Sequence, residues 1–228
     1  MSEYVFETRE QASMAAAERI ALALNNRLAK QTHASVVVSG GSTPGRCFET
    51  LAHAEVDWDR VHVLLSDERW VPADDDSSNE RLVRATLMQN GAAAARLQPV
   101  YAANIEVSDA AKALDASIRA LPFPFAGALL GMGADGHFAS LFPDADNLDA
   151  GLDVDGSRLV IPVNTAASPY PRISLTLAAL SRSDEIVLLI FGHDKREVYE
   201  QAKFRTSKHP VARLLLQKRA PVSVYWAP

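Results

Sequence analysis

The chain has 228 residues, of which 48% are hydrophobic and 22% charged, so it can form one large α/β domain with a substantial core. Its 23 basic and 28 acidic residues give a formal net charge of −5, which disfavours a general nucleic-acid or anionic-membrane binder. We therefore expect a single domain over residues 1–228, in which any anionic ligand is met by a few local cations.

Apolar periodicity predicts helices and strands that alternate along the chain. In the first half, helices are predicted over residues 11–30, 45–53, 79–89 and 110–120, and strands over residues 35–38, 61–65 and 126–130. In the second half, strands are predicted over residues 159–163, 185–191 and 222–226, with helices over residues 175–180, 195–202 and 211–216. This alternation predicts an α/β fold, with a mostly parallel sheet and helices on both of its faces.

Ligands of such sheets bind beyond the carboxyl ends of the strands. Four polar segments directly follow predicted strands, at residues 39–43, 66–69, 131–137 and 192–195. We therefore expect these four loops to meet at one edge of the sheet.

The cellular compartment is indicated by the single cysteine, Cys47, which permits no internal disulfide and suits a reducing environment. Its setting in a predicted helix favours a packed core thiol over a nucleophile. The N-terminus lacks the pattern of a signal peptide, and no apolar run approaches the roughly 20 residues that cross a bilayer. No Cys/His cluster has zinc-ligand spacing. We expect a soluble, cytoplasmic protein without a metal site.

The first loop, residues 39–43, joins a strand to a helix and contains Gly40, Gly41, Ser42 and Thr43. Paired glycines let backbone N–H groups approach a ligand, and a helix N-terminus offers further free donors to an anion. The loop therefore predicts a cradle for a phosphate monoester, although it lacks the Gly-Lys-Ser/Thr of a Walker A loop. The alternative is a tight turn capped by Ser or Thr.

Residues 131–136 match the dinucleotide fingerprint Gly-x-Gly-x-x-Gly after a predicted strand. A Rossmann fingerprint opens a full-length helix, whereas Pro143 limits any helix here to about two turns. The acidic candidates about twenty residues on, Asp153 and Asp155, lie in a polar loop rather than at a strand end. A nicotinamide or flavin site is therefore disfavoured.

The same segment presents Asp135, Gly136 and His137 at a strand end. A lone histidine is more often structural than catalytic. A glycine-rich loop at the carboxyl end of a strand is, however, where an α/β fold places function. We therefore predict that His137 is catalytic and that Asp135 and Gly136 help to bind substrate.

Three further cations and an acid follow predicted strands or begin helices. Asp67 and Arg69 come directly after a strand, and an arginine there suits recognition of phosphate or carboxylate. An internal ion pair is the alternative for Asp67 or Glu68. Arg172 and Lys195 lie near predicted element ends, and either could instead be a solvated surface charge.

In this order, the motifs resemble those of the 6-phosphogluconolactonase family. The resemblance rests on residues 39–44, 67–72, 78–79 and 131–143, and it continues through residues 172–176 and 192–195. It implies a modified Rossmann-like α/β fold and hydrolysis of 6-phospho-D-glucono-1,5-lactone in the oxidative pentose phosphate pathway. It also implies no cofactor, and the expected partner is the phosphorylated sugar lactone, bound by a monomer or weak homo-oligomer.

Glucosamine-6-phosphate deaminases are similar to the chain at the Gly-Gly-Ser-Thr-Pro and Asp-Gly-His segments. They typically have Asp-Glu-Tyr where this chain has Asp67-Glu68-Arg69, and an acidic residue before the proline that follows the histidine. Here residues 138–142 contain no acid, so both differences favour the lactonase. A sugar-phosphate sensor without catalysis would have no need for His137 together with Asp67 and Arg69.

The resemblance supports a mechanism in which His137 acts first as base and then as acid. Neutral His137 would take a proton from the water that attacks C1 and return it to the departing ring oxygen. Backbone N–H groups or Arg69 would stabilise charge on the carbonyl oxygen, and Asp67 would orient Arg69 or the sugar hydroxyls. Residues 40–43, Arg172 and Lys195 would hold the phosphate, and which of Arg69, Arg172 and Lys195 contacts it is left open.

Overall fold

A computed structural model describes residues 1–41 and 43–228, which form ten strands and eight α-helices. The strands are β1 (Ser2–Val5), β2 (Ala34–Val38), β3 (Val61–Leu65), β4 (Asp67–Arg69), β5 (Arg96–Leu97), β6 (Gly127–Leu130), β7 (Val160–Val163), β8 (Arg172–Leu175), β9 (Ile186–Phe191) and β10 (Val222–Ala227). The helices are α1 (Arg9–Leu28), α2 (Gly45–Ala52), α3 (Asn79–Thr86), α4 (Val107–Arg119), α5 (Leu148–Leu152), α6 (Leu177–Leu180), α7 (His193–Ala202) and α8 (Pro210–Leu216).

The longest helix, α1, begins with a capping box. The Thr8 hydroxyl accepts a hydrogen bond from the Gln11 backbone N–H at 3.2 Å, and the Gln11 side chain accepts one from the Thr8 N–H at 3.3 Å. These bonds satisfy two backbone donors that a helix start leaves free. Ala16, Ile20 and Leu24 then bury one stripe of the helix, which packs against the strands of the central sheet.

Seven parallel strands form the central sheet, in the order β1-β10-β9-β6-β2-β3-β5. The strands β2, β6 and β9 consist of fully buried or nearly buried residues, as continuous Val, Leu and Ile runs predict. From β2 the chain proceeds to β3 and β5 on one side, and from β6 it proceeds to β9 and β10 on the other. The neighbouring ends of β2 and β6 therefore mark the topological switch point, where α/β sheets bind ligands.

A second sheet has three antiparallel strands in the order β4-β8-β7. Strand β4 is made of the polar residues Asp67, Glu68 and Arg69, and Arg69 pairs with Arg172 of β8 in register. Sequence periodicity did not predict β4 or β8, since each is too short to show alternation. The predicted strand at residues 159–163 is present, but it belongs to this sheet rather than to the parallel one.

The predicted α/β architecture with a mostly parallel sheet is confirmed. No helix follows His137, although Pro143 would have allowed about two turns of one: within residues 137–142, Ala139 and Ser140 form a turn and the other residues are irregular. Ala139 has a positive φ of 49°, which an α-helix does not accommodate. Within the described residues, no helix combines the length and hydropathy that crossing a membrane requires.

The edge strand β1 is tied to α7 by an ionic cluster around Glu3. Its carboxylate accepts hydrogen bonds from Arg196, from the Tyr199 hydroxyl at 2.9 Å and from the Lys203 ammonium at 3.0 Å. Burial alone raises the pKa of Glu3, but the bonds from Lys203, Arg196 and Tyr199 outweigh it and lower the pKa from 4.5 to about 2. The carboxylate therefore stabilises the fold most when it is ionised.

We expect Glu3→Gln to lower the free energy of unfolding at pH 7 by about 1 kcal/mol, because the cluster is only partly shielded from water. The folded-state pKa is depressed, so this contribution is present above pH 4.5 and is lost as the pH falls towards 2. Thermal unfolding at several pH values measures it, with the exposed Glu18→Gln as control. A difference in Tm that stays constant from pH 7 to pH 3 would contradict the assignment.

Candidate active site

A cavity of about 360 Å³ lies at the carboxyl ends of β2 and β6, where the two halves of the sheet diverge. Its walls come from the loops after β2, β3 and β6, the second sheet and the start of α7. The lining residues are Ser39, Gly40, Gly41, Thr43, Asp67, Arg69, Asn79, Gly131, Met132, Gly133, His137, Phe138, Ala139, Phe142, Ala167, Arg172 and Lys195. All four predicted loops therefore contribute to a single cavity.

Most predicted site residues meet at this cavity. Gly40, Gly41, Thr43, Asp67, Arg69, His137, Arg172 and Lys195 line it. Asp135 and Gly136 are absent from the lining and lie behind His137, so direct contact with substrate is not their evident role. Ser42 lies outside the described residues.

His137 is held by the carboxylate of Asp135. Its ring Nδ1 lies 2.6 Å from Asp135 Oδ1, and its backbone N–H donates to the same oxygen at 3.1 Å. Burial raises the pKa of Asp135, but the hydrogen bonds from His137 outweigh it and lower the pKa below its ordinary value. Since an ionised carboxylate only accepts, Nδ1 carries the proton, and Nε2 is the unprotonated nitrogen, with no hydrogen-bond partner among the described residues.

The turn that presents this pair depends on Gly133. A Cβ at that position would lie 2.3 Å from both Cε1 and Nδ1 of His137 and 2.6 Å from Asp135 Oδ1. The Gly133 N–H also donates to the His137 carbonyl at 2.9 Å, which closes the turn. A glycine is therefore needed here for space beside the ring.

Phe142 forms an apolar wall beside both the His137 imidazole and the half-buried guanidinium of Arg172. Its ring centroid lies 4.1 Å from that of His137, and the Arg172 guanidinium carbon lies 5.2 Å from the Phe142 centroid. The segment after the histidine thus packs an aromatic ring against the site instead of supplying a carboxylate. Such a wall excludes water from one side of the imidazole.

Asp67, Ser140 and Arg172 form a buried polar network. Asp67 accepts hydrogen bonds from the hydroxyls of Ser66 at 2.7 Å and Ser140 at 2.6 Å, and Arg172 Nη1 lies 3.7 Å from its Oδ2. The Ser140 hydroxyl in turn accepts from Arg172 Nη1 at 3.3 Å. Burial lowers the pKa of Arg172, and the charges of Asp67 and Glu68 offset part of that shift. In the described residues Asp67 is thus bonded to Ser66 and Ser140, rather than to Arg69.

Arg69 is oriented by residues of the following loop and helix. Its Nη1 donates to the Asn79 side-chain oxygen at 2.6 Å and to the Ser77 carbonyl at 3.0 Å. Asn79 also donates to the Asp67 carbonyl at 2.9 Å, which links the two strand-end residues. Asn79 lines the cavity; it belongs to the residues that carry the family resemblance, but the sequence analysis assigned it no role in the site.

Glu68 has an internal role, but among the described residues it forms hydrogen bonds and not the ion pair that the sequence suggested. Its carboxylate is buried and accepts from the backbone N–H groups of Arg69, Asn79 and Glu80 and from the Ser78 hydroxyl. It therefore caps the start of α3 and fixes the loop that carries Arg69. Burial raises its pKa, while those four bonds act in the opposite direction.

Lys195 completes the cavity from the first turn of α7, and among the described residues no carboxylate pairs with it. The described residues hold no group of three or more His, Cys, Asp or Glu side chains arranged to bind a metal ion. The thiol of Cys47 is buried in the core, as predicted, and burial raises its pKa to about 12. That shift leaves it a poor nucleophile.

The family model described as glucosamine-6-phosphate isomerases/6-phosphogluconolactonase matches residues 7–226. A 6-phosphogluconolactonase of Mesorhizobium japonicum is 43% identical over 98% of this chain and 94% of its own length. One from Caulobacter vibrioides is 42% identical over 97% and 95%, respectively. Among solved structures, a 6-phosphogluconolactonase from Shewanella baltica superposes with a TM-score of 0.95 at 36% identity, covering 100% of this chain and 98% of that one.

We expect Gly133→Ala to displace the His137 ring or the Asp135 carboxylate, because the new methyl group would otherwise overlap both. The matched control is Gly45→Ala, where a built Cβ meets no atom within 4 Å. Crystal structures and imidazole NMR spectra of the two variants measure the Nδ1–Oδ1 contact. A Gly133→Ala protein that keeps this contact at its present 2.6 Å would contradict the close-packing argument.

Proposed function

The chain belongs to the glucosamine-6-phosphate isomerase/6-phosphogluconolactonase family, and we propose that it hydrolyses 6-phospho-D-glucono-1,5-lactone with His137 as general base. Relatives that share up to 43% of its residues over nearly its whole length carry the lactonase name. This supports a lactone hydrolase that makes 6-phospho-D-gluconate in the pentose phosphate pathway. The observation that carries the mechanism is the 2.6 Å contact between Asp135 and His137 Nδ1.

The site favours lactone hydrolysis over amino-sugar deamination. Among the described lining residues, Asp67 is the one carboxylate, and both of its oxygens accept bonds from serine hydroxyls. Both oxygens of that carboxylate are therefore engaged, whereas Nε2 of His137 has no hydrogen-bond partner among the described residues and can meet a water molecule. The segment after His137 supplies Phe142 in place of an acid.

In the proposed step, His137 Nε2 takes a proton from a water molecule as the water oxygen bonds to C1 of the lactone. The bond from C1 to the ring oxygen then breaks, and the imidazolium returns the proton to that oxygen. Asp135 holds Nδ1–H and stabilises the transient imidazolium charge. A lactone is an activated ester, so general base catalysis of roughly 10²–10⁴-fold, together with positioning, is a sufficient contribution.

We assign the cations of the cavity to different groups of the substrate. Arg69 is oriented by Asn79 yet still faces the cavity, so we assign it to the carbonyl oxygen, where negative charge develops. Lys195 and residues 40–43 are assigned to the phosphate, because Lys195 has no described carboxylate partner and the loop after β2 leads into a helix start. Arg172 is half-buried and bonded to Ser140. We therefore assign it to the positive electrostatic field of the cavity and not to direct contact with the ligand.

We place the enzyme in the cytoplasm, where its lone cysteine stays reduced, and expect a monomer or weak homo-oligomer. Light scattering after size exclusion tests the second expectation. A tight tetramer would overturn it.

The proposed function predicts acid release from freshly made 6-phosphogluconolactone, above the spontaneous rate, and no ammonia from glucosamine 6-phosphate. His137→Ala should lower kcat by about 10²–10⁴-fold with little change in KM, since the base acts in the chemical step. Because the hydrogen bonds from His137 lower the pKa of Asp135 below its ordinary value of 3.8, this carboxylate should stay ionised and keep orienting the His137 ring at a lower pH than a free aspartate could.

The exposed His53→Ala is the matched control for the histidine variant, and its kcat should equal that of the wild type. An unchanged kcat in His137→Ala would show that His137 is not the general base, but it would not contradict lactone hydrolysis as the reaction. Ammonia release by the wild type would instead favour the deaminase.

Lys195→Met should raise KM for the phosphorylated lactone about tenfold, since a charge-assisted hydrogen bond contributes roughly 1.5–3 kcal/mol. Hydrolysis of unphosphorylated glucono-1,5-lactone should be unaffected, because it has no phosphate to contact. The exposed Lys218→Met serves as control. An equal loss on both substrates would show that Lys195 acts on the sugar ring or on the fold.

A further inference from the structure

The turn behind His137 is anchored by residues that do not line the cavity. His209 Nδ1 lies 3.0 Å from the backbone carbonyl oxygen of Asp135. The next carbonyl, that of Gly136, accepts a hydrogen bond from the Val211 N–H at 2.9 Å, at the start of α8. Two consecutive carbonyls of the turn are thus bonded to the segment that opens this helix.

The bonding of the His209 ring fixes its orientation. A carbonyl oxygen only accepts hydrogen bonds, so Nδ1 must carry a proton and donate it to Asp135. The other ring nitrogen, Nε2, lies 3.1 Å from the side-chain amide of Gln201 on α7, and it accepts a hydrogen bond when the NH₂ group of that amide faces it. His209 therefore bridges α7, the start of α8 and the turn, and both of its nitrogens are engaged.

The contact between His209 and the turn is also steric. Gly136 has a positive φ of 83°, and a Cβ there would lie 2.7 Å from Cβ and 3.0 Å from Nδ1 of His209. The imidazole is thus packed directly onto the Gly136 backbone. A side chain at residue 136 would collide with His209, so the imidazole and the Asp135–Gly136 peptide are in close contact.

We propose that His209 is a positioning residue for the reaction, and that it acts by holding the Asp135 main chain so that the Asp135 carboxylate meets His137 Nδ1. This inference rests on the proposed function. The carbonyl that His209 holds and the carboxylate that orients His137 belong to the same residue. A shift of that residue by about 1 Å can lower the rate by up to about 10²-fold without removing any group that touches substrate.

Three substitutions of His209 distinguish the effect of losing the hydrogen bond from the effect of losing the volume of the ring. His209→Ala removes the donor, whereas His209→Asn places an amide N–H close to the former site of Nδ1. His209→Gln carries its amide nitrogen one bond farther, near the former Nε2, and so serves as the matched negative variant. His53, whose Nδ1 also lies 2.8 Å from a backbone carbonyl but far from the cavity, gives the control His53→Asn.

With freshly made lactone, His209→Ala and His209→Gln should lose about tenfold in kcat with KM within about twofold of the wild type. His209→Asn should recover most of the loss, and His53→Asn should match the wild type. A wild-type kcat in His209→Ala, or an equal loss in the Asn and Gln variants, would overturn the proposal.

Backbone hydrogen exchange gives a second result that requires no activity. The His137 N–H donates to Asp135 Oδ1, so its exchange should be faster in His209→Ala than in the wild type and close to normal in His209→Asn. Unchanged exchange in His209→Ala would also overturn the proposal. If the wild type fails to hydrolyse the lactone while exchange behaves as expected, the proposed function fails and the anchoring of the turn stands.

Discussion

The candidate site depends on the separation of the chain after two neighbouring parallel strands. Strands β2 and β6 are hydrogen-bonded to each other, but the segments that follow them lead to opposite sides of the sheet. Backbone cannot fill the gap at their carboxyl ends, so a crevice is left there. The loop with Gly40 and the loop with His137 line its two sides, and the start of α7 brings Lys195 to the same place.

The second sheet gives the crevice its fixed charges. Strand β4 carries Asp67 and Arg69, β8 carries Arg172, and pairing of the two strands brings these side chains together. A buried acid beside a half-buried guanidinium is costly to desolvate unless hydrogen bonds satisfy both groups, and Ser140 provides bonds to both. Removing one member would leave the others without a partner, so the network acts as a unit that fixes the position of the Asp67 carboxylate.

The positions of the four loops could be predicted from the sequence, because buried strands have strong apolar runs and parallel strands align their ends. The second sheet could not, since β4 and β8 have three and four residues and their pairing is decided by tertiary contacts. For the same reason, the partner of Asp67 was not evident, nor were Asn79 and His209. The absence of a helix after His137 was also not evident, because Pro143 limits the length of a helix without specifying one, and Ala139 adopts a positive φ there.

The charge of the whole chain and that of the crevice have opposite signs. The protein carries a formal charge of −5, yet Arg69, Arg172 and Lys195 face one cavity in which the described lining offers a single carboxylate, Asp67. Asp67 lies nearest to Arg172, so the charges of Arg69 and Lys195 remain for a ligand. Low-dielectric walls such as Phe142 strengthen that local field. A few placed cations thus give the crevice a local positive field inside a negatively charged protein, which suits the anionic sugar phosphate that we propose as its substrate.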